Sequence, residues 1–301
     1  MAVQPSELVV SPLPLLPSGP VMPTATAKSR FAGLGRQLEL WIPGGVLILI
    51  IFLCALGPAI FDLPSPVGGS ILNASLPMFS KGHLLGTDPI GNDILSRLLY
   101  GGRVSIEVGL GTNVIGMLVG GLAGIGAAVR GGWVEAIVMR ILDVLIAFPS
   151  LVLVLAVVEA LGPGELNVIY ALAFFSVPAF ARLARSATIR LREQDFVLAS
   201  RLGGARAKSI IFGHIVPNVA PQLLTYSCLA ISVTILLEAA LSFLGLGVVP
   251  PQPSWGDMIS QGEQYLSGDP NYVLVPSICL FLTAASLNLF GDGLRARWSS
   301  R

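Results

Sequence analysis

Six apolar stretches, 42–61, 104–129, 136–160, 166–184, 219–245 and 272–290, dominate this sequence of 301 residues. A helix needs about 20 apolar residues, rising about 1.5 Å each, to cross a hydrocarbon layer about 30 Å thick. Each stretch reads as one such span. Only 12% of the residues are charged, where a soluble domain carries about 25%, so the chain lacks the polar surface to coat a globule in water. The expectation is an all-α membrane protein with a bundle of six transmembrane helices.

Residues 1–40 precede the bundle, and six prolines fall between Pro5 and Pro23. Proline removes a backbone donor and fixes φ, which predicts a tail without regular structure and a membrane domain over 41–301. The first apolar run starts too late and is too long for the h-region of a signal peptide, so it reads as a retained span. Orientation follows from the basic residues. With the N-terminus inside, fifteen of the eighteen lysines and arginines lie at the inner ends, and only Lys81, Arg97 and Arg103 lie outside. That asymmetry predicts cytoplasmic termini.

The net charge of +1 offers no field for nucleic acid. Cys54, Cys228 and Cys279 lie in apolar runs without ligand spacing, and His83 and His214 share no motif. They read as buried free thiols and unconnected histidines, so neither a metal site nor a catalytic residue is expected. No Gly-x-x-x-x-Gly-Lys-Ser/Thr run surrounds Lys28, Lys81 or Lys208, so the chain holds no phosphate-cradling loop of its own. The intramembrane protease patterns Gly-x-Gly-Asp and Gly-x-Ser-x-Gly with a partner histidine have no counterpart here.

Within the spans, Gly116, Gly120 and Gly124 repeat every four residues and line one helical face, where they would admit a neighbouring backbone. Arg140 and Asp143, three apart, read as a neutralised pair. Glu238 sits in the outer half of the fifth run, where a carboxylate must face protein or water. It is a possible intramembrane polar site, either lining a pore or bonded to a neighbouring helix.

The most informative segment is the inner loop 185–218, which carries Asp195, Phe196, Ala199, Ser200, Gly203, Gly204 and Pro217. Phe196, Ala199 and Gly203 share one face of a short polar helix. An aromatic knob beside small residues suits insertion into a groove of another protein. The smallness of Ala199, Gly203 and Gly204 is expected to serve that close approach.

This loop resembles the Glu-Ala-Ala loop of ABC importer permeases. Leu198-Ala199-Ser200 stands at the triplet, Gly204 at its glycine and Val216-Pro217 at its Leu-Pro, with Leu198, Ser200 and Val216 differing from the pattern. Further segments resemble the peptide branch of that family: Leu85-Gly86-Thr87-Asp88-Pro89-Ile90-Gly91-Asn92-Asp93, Glu238-Ala239-Ala240-Leu241-Ser242-Phe243, Pro253-Ser254-Trp255-Gly256 and Asn288-Leu289-Phe290-Gly291-Asp292-Gly293. The likeness runs over about residues 40–298 and is to the second, C-type, transmembrane subunit of dipeptide and oligopeptide importers.

The resemblance implies a type I importer permease fold and residence in the cell membrane. Its implied partners are a homologous second permease, two cytoplasmic ATPases that use ATP and Mg, and an extracytoplasmic substrate-binding protein. No cofactor would be bound by this chain. Residues 195–209 would form the coupling helix seated on an ATPase, and the outer loops 62–102 and 246–271 would face the binding protein. Import of nickel or another small solute by the same architecture is the alternative, with a passive channel or scaffold behind it.

Overall fold

The computed structural model describes residues 29–249 and 251–298, with residues 29–39 described by backbone alone. Among these there is no strand, only two isolated bridges in the segment before the second long helix. Besides one 3-10 turn at Ile71–Asn73, nine longer helices follow in order among the described residues: α1 Ser29–Ile60, α2 Ile94–Arg130, α3 Gly132–Ile146, α4 Ser150–Leu161, α5 Glu165–Arg192, α6 Asp195–Leu202, α7 Ala207–Phe243, α8 Trp255–Glu263 and α9 Asn271–Trp298. Five of them, α1 (over Leu40–Ile60), α2, α5, α7 and α9, are long and apolar enough to span a membrane alone, and α3 with α4 supplies a sixth, broken candidate.

Several boundaries differ from the sequence expectation. The tail assigned to 1–40 ends earlier, because α1 already begins at Ser29, while residues 1–28 lie outside the described part. The third span is not a straight helix: α3 and α4 meet at 86° across Ala147–Pro149. Pro149 lacks an N–H and disfavours helical geometry at Phe148, which breaks the helix inside an apolar run. The inner loop 185–218 is mostly helical, being shared among the end of α5, all of α6 and the start of α7.

Helix α2 is the spine. It lies against α1, α5, α7 and α8, while α9 closes the bundle against α1, α7 and α8; α3 packs on both the end of α2 and α5, and α4 packs on α5. Its two packing faces are built differently. A Cβ at Gly116, Gly120 or Gly124 would overlap Ser176, the Val177 carbonyl or the Ala181 carbonyl, so this glycine row lets the α5 backbone lie directly on α2. The adjacent row, Ser105, Gly109 and Asn113, faces α7, with Ser105 donating to Glu238 at 2.9 Å and Asn113 donating to Thr234 at 3.0 Å. Rows four residues apart drift around a helix of 3.6 residues per turn. The π turn at Gly116–Gly120 adds residues to that turn and helps hold the α5 row in line.

Three apolar clusters fill the bundle. One gathers Cys54, Leu98, Trp255, Met258 and Tyr272 where α1, α2, α8 and α9 meet. A second joins Val108, Val154, Val158, Val168 and Leu241 of α2, α4, α5 and α7. The third lies at the opposite end of α5 and joins Ile125, Phe180, Ala184, Val197, Ile215 and Val219.

Candidate functional site

The two ends of the bundle carry the groups singled out by the sequence. At the end with few basic residues, the segment before α2 folds onto the helix that follows. Asp93 caps α2 by accepting from the Ser96 N–H at 2.8 Å, and its other oxygen meets His83 Nδ1 at 2.8 Å. Asp88 is fully buried. Its carboxylate accepts from the backbone N–H groups of Ile90 and Asn92, from the Asn92 side chain at 2.8 Å, and from Arg97 at 2.7 Å. The motif Gly86-Thr87-Asp88-Pro89-Ile90-Gly91-Asn92 is thus a turn wrapped around one carboxylate. Gly91, at φ +83°, is required twice over, because a Cβ there would also overlap the Ser70 carbonyl.

Arg97 extends the network across the bundle. It donates to Gln261 at 2.9 Å, lies 3.5 Å from Asp257, and stacks over the Tyr272 ring at 5.9 Å. Gln261 in turn donates to both Asp257 oxygens and accepts from the Tyr272 hydroxyl at 2.8 Å. Burial pushes the Asp257 carboxyl above its ordinary range, against the pull of Arg97 and Gln261. The segment 246–271, expected as a polar loop, therefore contains a helix buried at its start. Trp255 is buried on Gly102 and donates to the Leu98 carbonyl at 3.0 Å, and Met258 is enclosed beside it. Sequence reasoning missed this tie, since Arg97 and Asp257 are 160 residues apart.

Glu238 is fully enclosed between α2 and α7. Its two oxygens accept from Ser105 at 2.9 Å and from Ser242 at 2.7 Å. The acid is held in a helix–helix contact. Asp143 does not pair with Arg140 as its spacing suggested. It bonds Arg182 of α5 at 2.6 Å, and Glu135 bonds Arg185 of α5 at 2.5 Å. Both pairs fasten α3 to α5, where Arg182 and Arg185 offer each acid a partner across the helix contact. Of the thiols expected in the interior, Cys54 is buried, while Cys228 and Cys279 are half-buried.

At the basic end, α6 stands between α5 and α7. Asp195 opens it, where a carboxylate favours the helix N-terminus. Val197 alone of its residues is buried, and it enters the apolar cluster of α5 and α7. Phe196 leans on the His214 ring at 5.9 Å yet keeps 45% of its surface exposed, and Leu202 keeps 90%. Ala199 is exposed and Ser200 half-buried.

The helix ends in a Schellman turn, with the Gly204 N–H donating to the Arg201 carbonyl and the Ala205 N–H to the Ser200 carbonyl. Gly204 sits at φ +79° with nothing within 4 Å of a Cβ, so its glycine answers a backbone need of this chain. Gly203 meets only carbonyl oxygens of its own helix, at ordinary distance. Pro217 lies inside α7, two residues after a π turn at Ile211–Ile215 that falls where the ring would crowd a regular helix.

The chain is similar to known proteins along most of this architecture. Residues 116–301 match the model of the binding-protein-dependent transport system inner membrane component family. The glutathione transport system permease protein GsiD of Pectobacterium atrosepticum is 42% identical over 72% of this chain and 72% of its own. The dipeptide transport system permease protein DppC of Alkalihalophilus pseudofirmus is 40% identical over 72% and 71%, and the di/tripeptide permease protein DppC of Pseudomonas aeruginosa is 42% identical over 70% of each chain. A solved structure of the MetNI methionine ABC transporter in inward-facing conformations shares the fold, with a TM-score of 0.56 and 18% identity over 66% of this chain and 95% of that one. The helical bundle, the segment between α5 and α7 and these similarities together place the chain in the family of binding-protein-dependent transport system inner membrane components, as a multi-pass permease subunit of an ABC transporter and not an enzyme.

Proposed function

We propose that this chain is one of two transmembrane subunits of an ATP-driven importer that moves di- or oligopeptides into the cytoplasm, with both termini on the cytoplasmic side. The family acts with ATPase and substrate-binding proteins. In this reading the partners are a homologous second permease, two ATPases that bind ATP and Mg, and an extracytoplasmic binding protein that meets the cap formed by residues 62–93. The observation that carries the reading is α6. It is a short helix at the basic end, anchored through buried Val197 while Phe196 and Leu202 remain open to a partner. The names of the relatives, which concern dipeptides, tripeptides and glutathione, support the peptide class.

Mechanically, α6 acts as a short lever. Closure of the ATPases would move it, and Val197 would pass that movement to α5 and α7 through the cluster they share. The chain performs no covalent step. It supplies a bundle with two arrangements, whose balance the ATPases shift. The test is purification of the tagged chain from its native membrane in mild detergent. A second permease and ATPase subunits should accompany it, and peptide should stimulate hydrolysis in the reconstituted complex. Recovery of the chain alone, or a complex indifferent to peptides, would contradict the reading.

A further inference from the structure

A cavity of about 620 Å³ opens between α5, α7 and α9 toward the basic end of the bundle, a volume in the range of ligand sites. Its lining includes Leu183, Pro221, Gln222, Tyr226, Arg295 and Trp298. No carboxylate lines it. Asp292, one turn before Arg295 on α9, forms no ion pair with it, and among the described residues no other acid does. The Tyr226 ring is held edge-on against Phe180 at 5.1 Å, and its hydroxyl has no described protein partner. Arg190 donates to the Gln222 oxygen at 3.3 Å, which brings a second guanidinium to the rim and leaves the Gln222 amide hydrogens free to donate. The site thus gathers donors and positive charge beside the apolar walls of Leu183 and Pro221.

We propose that this cleft binds an anionic phospholipid of the adjoining leaflet. The phosphodiester lies on Arg295, with Tyr226 and Gln222 as further donors, and the first methylenes of the acyl chains follow Leu183 and Pro221. Charge complementarity selects the occupant: the cavity offers cationic and neutral donors to a group that only accepts, beside Arg295 and Trp298 in the last turn of α9, and tryptophan is enriched where spans meet headgroups. Basic clefts between spans at a cytoplasmic surface bind acidic headgroups on the same physical grounds. A soluble phosphate would use the guanidinium but leave the apolar walls unfilled, so the proposal commits to lipid.

The test is native mass spectrometry of the full chain in detergent, with dioleoyl phosphatidylglycerol or dioleoyl phosphatidylcholine added at equal concentration. The expected result is retention of phosphatidylglycerol over phosphatidylcholine by about tenfold, the scale of one charge-assisted contact. R295Q should abolish that preference. Y226F, which leaves the packing on Phe180 in place, should weaken it by a smaller factor. R130Q, at the basic end of α2 but outside the cleft, should leave it unchanged. Equal retention of both lipids, or equal loss in R130Q and R295Q, would overturn the proposal. So would displacement of the lipid by millimolar dipeptide, which would assign the cleft to the transported solute.

Discussion

The two ends of the bundle handle charge in opposite ways. At the end with few basic residues, every charged group of the Asp88–Arg97–Asp257 network finds its partner inside the chain, and Trp255 and Met258 seal it from beneath. At the other end, α6 commits one apolar side chain to the interior and leaves Phe196, Leu202 and Arg201 outside. The first arrangement pairs its charges internally, with the Arg97 Nε left without a partner, and fixes the shape of a cap. The second is held by one buried contact and open in the rest, as the lever proposed above requires.

The sharpest way to break the closed end is to remove its cation. Arg97→Leu leaves the Asp88 carboxylate enclosed without its charge partner, which costs about 3–5 kcal/mol. Thermal unfolding in detergent should show a large downward shift, and the cap segment 62–93 should become protease-sensitive. An unchanged midpoint would mean that the cap does not depend on the tie.

The glycine row of α2 comes next. Gly124→Leu forces α2 off the Ala181 carbonyl, and such overpacking costs about 1–3 kcal/mol. Gly126→Leu, two residues along where nothing lies within 4 Å, is the control and should unfold with the parent. Similar losses in both variants would remove the packing role of the row.

Val197→Ala sharpens the contrast at the open end, because it loosens α6 while leaving its outer face intact. It removes part of a side chain whose full burial contributes about 1.5–3 kcal/mol. The expected outcome is a small loss in global stability with a large loss of transport per ATP hydrolysed. Gly204→Ala should have the smallest effect on unfolding, about 1–2 kcal/mol confined to the end of α6 because alanine is strained at φ +79°. Gly204→Asn, which tolerates that conformation better, should retain more activity than Gly204→Val.

Much of this architecture was legible in the sequence, and the reasons it was not legible elsewhere are local. Long apolar runs announce spans because membrane thickness sets their length, so α1, α2, α5, α7 and α9 follow from hydropathy alone. The bend between α3 and α4 hides inside one such run, where a window of average hydropathy cannot register the single proline at 149. The burial of α8 hides for a different reason: Trp255-Gly256-Asp257 lies in a polar segment, and the partner that draws Asp257 inward comes from a distant helix. The face of Gly116, Gly120 and Gly124 could be read from spacing, although which helix lies against it could not. In α6 the exposed Phe196 and Ala199 were recognisable, whereas neither exposed Leu202 nor the anchor Val197 stands out, because apolar neighbours on so short a helix differ only in which way they point.

The most direct test of the account uses Leu202, whose side chain is 90% exposed and supports nothing within this chain. Peptide uptake and ATP hydrolysis would be measured in the reconstituted complex carrying Leu202→Asp, beside a thermal unfolding curve of the same subunit. The account expects an unchanged unfolding curve with uptake and substrate-stimulated hydrolysis reduced at least severalfold. Full, tightly coupled uptake by that variant would contradict the assignment of α6 as the surface through which ATP hydrolysis reaches this chain.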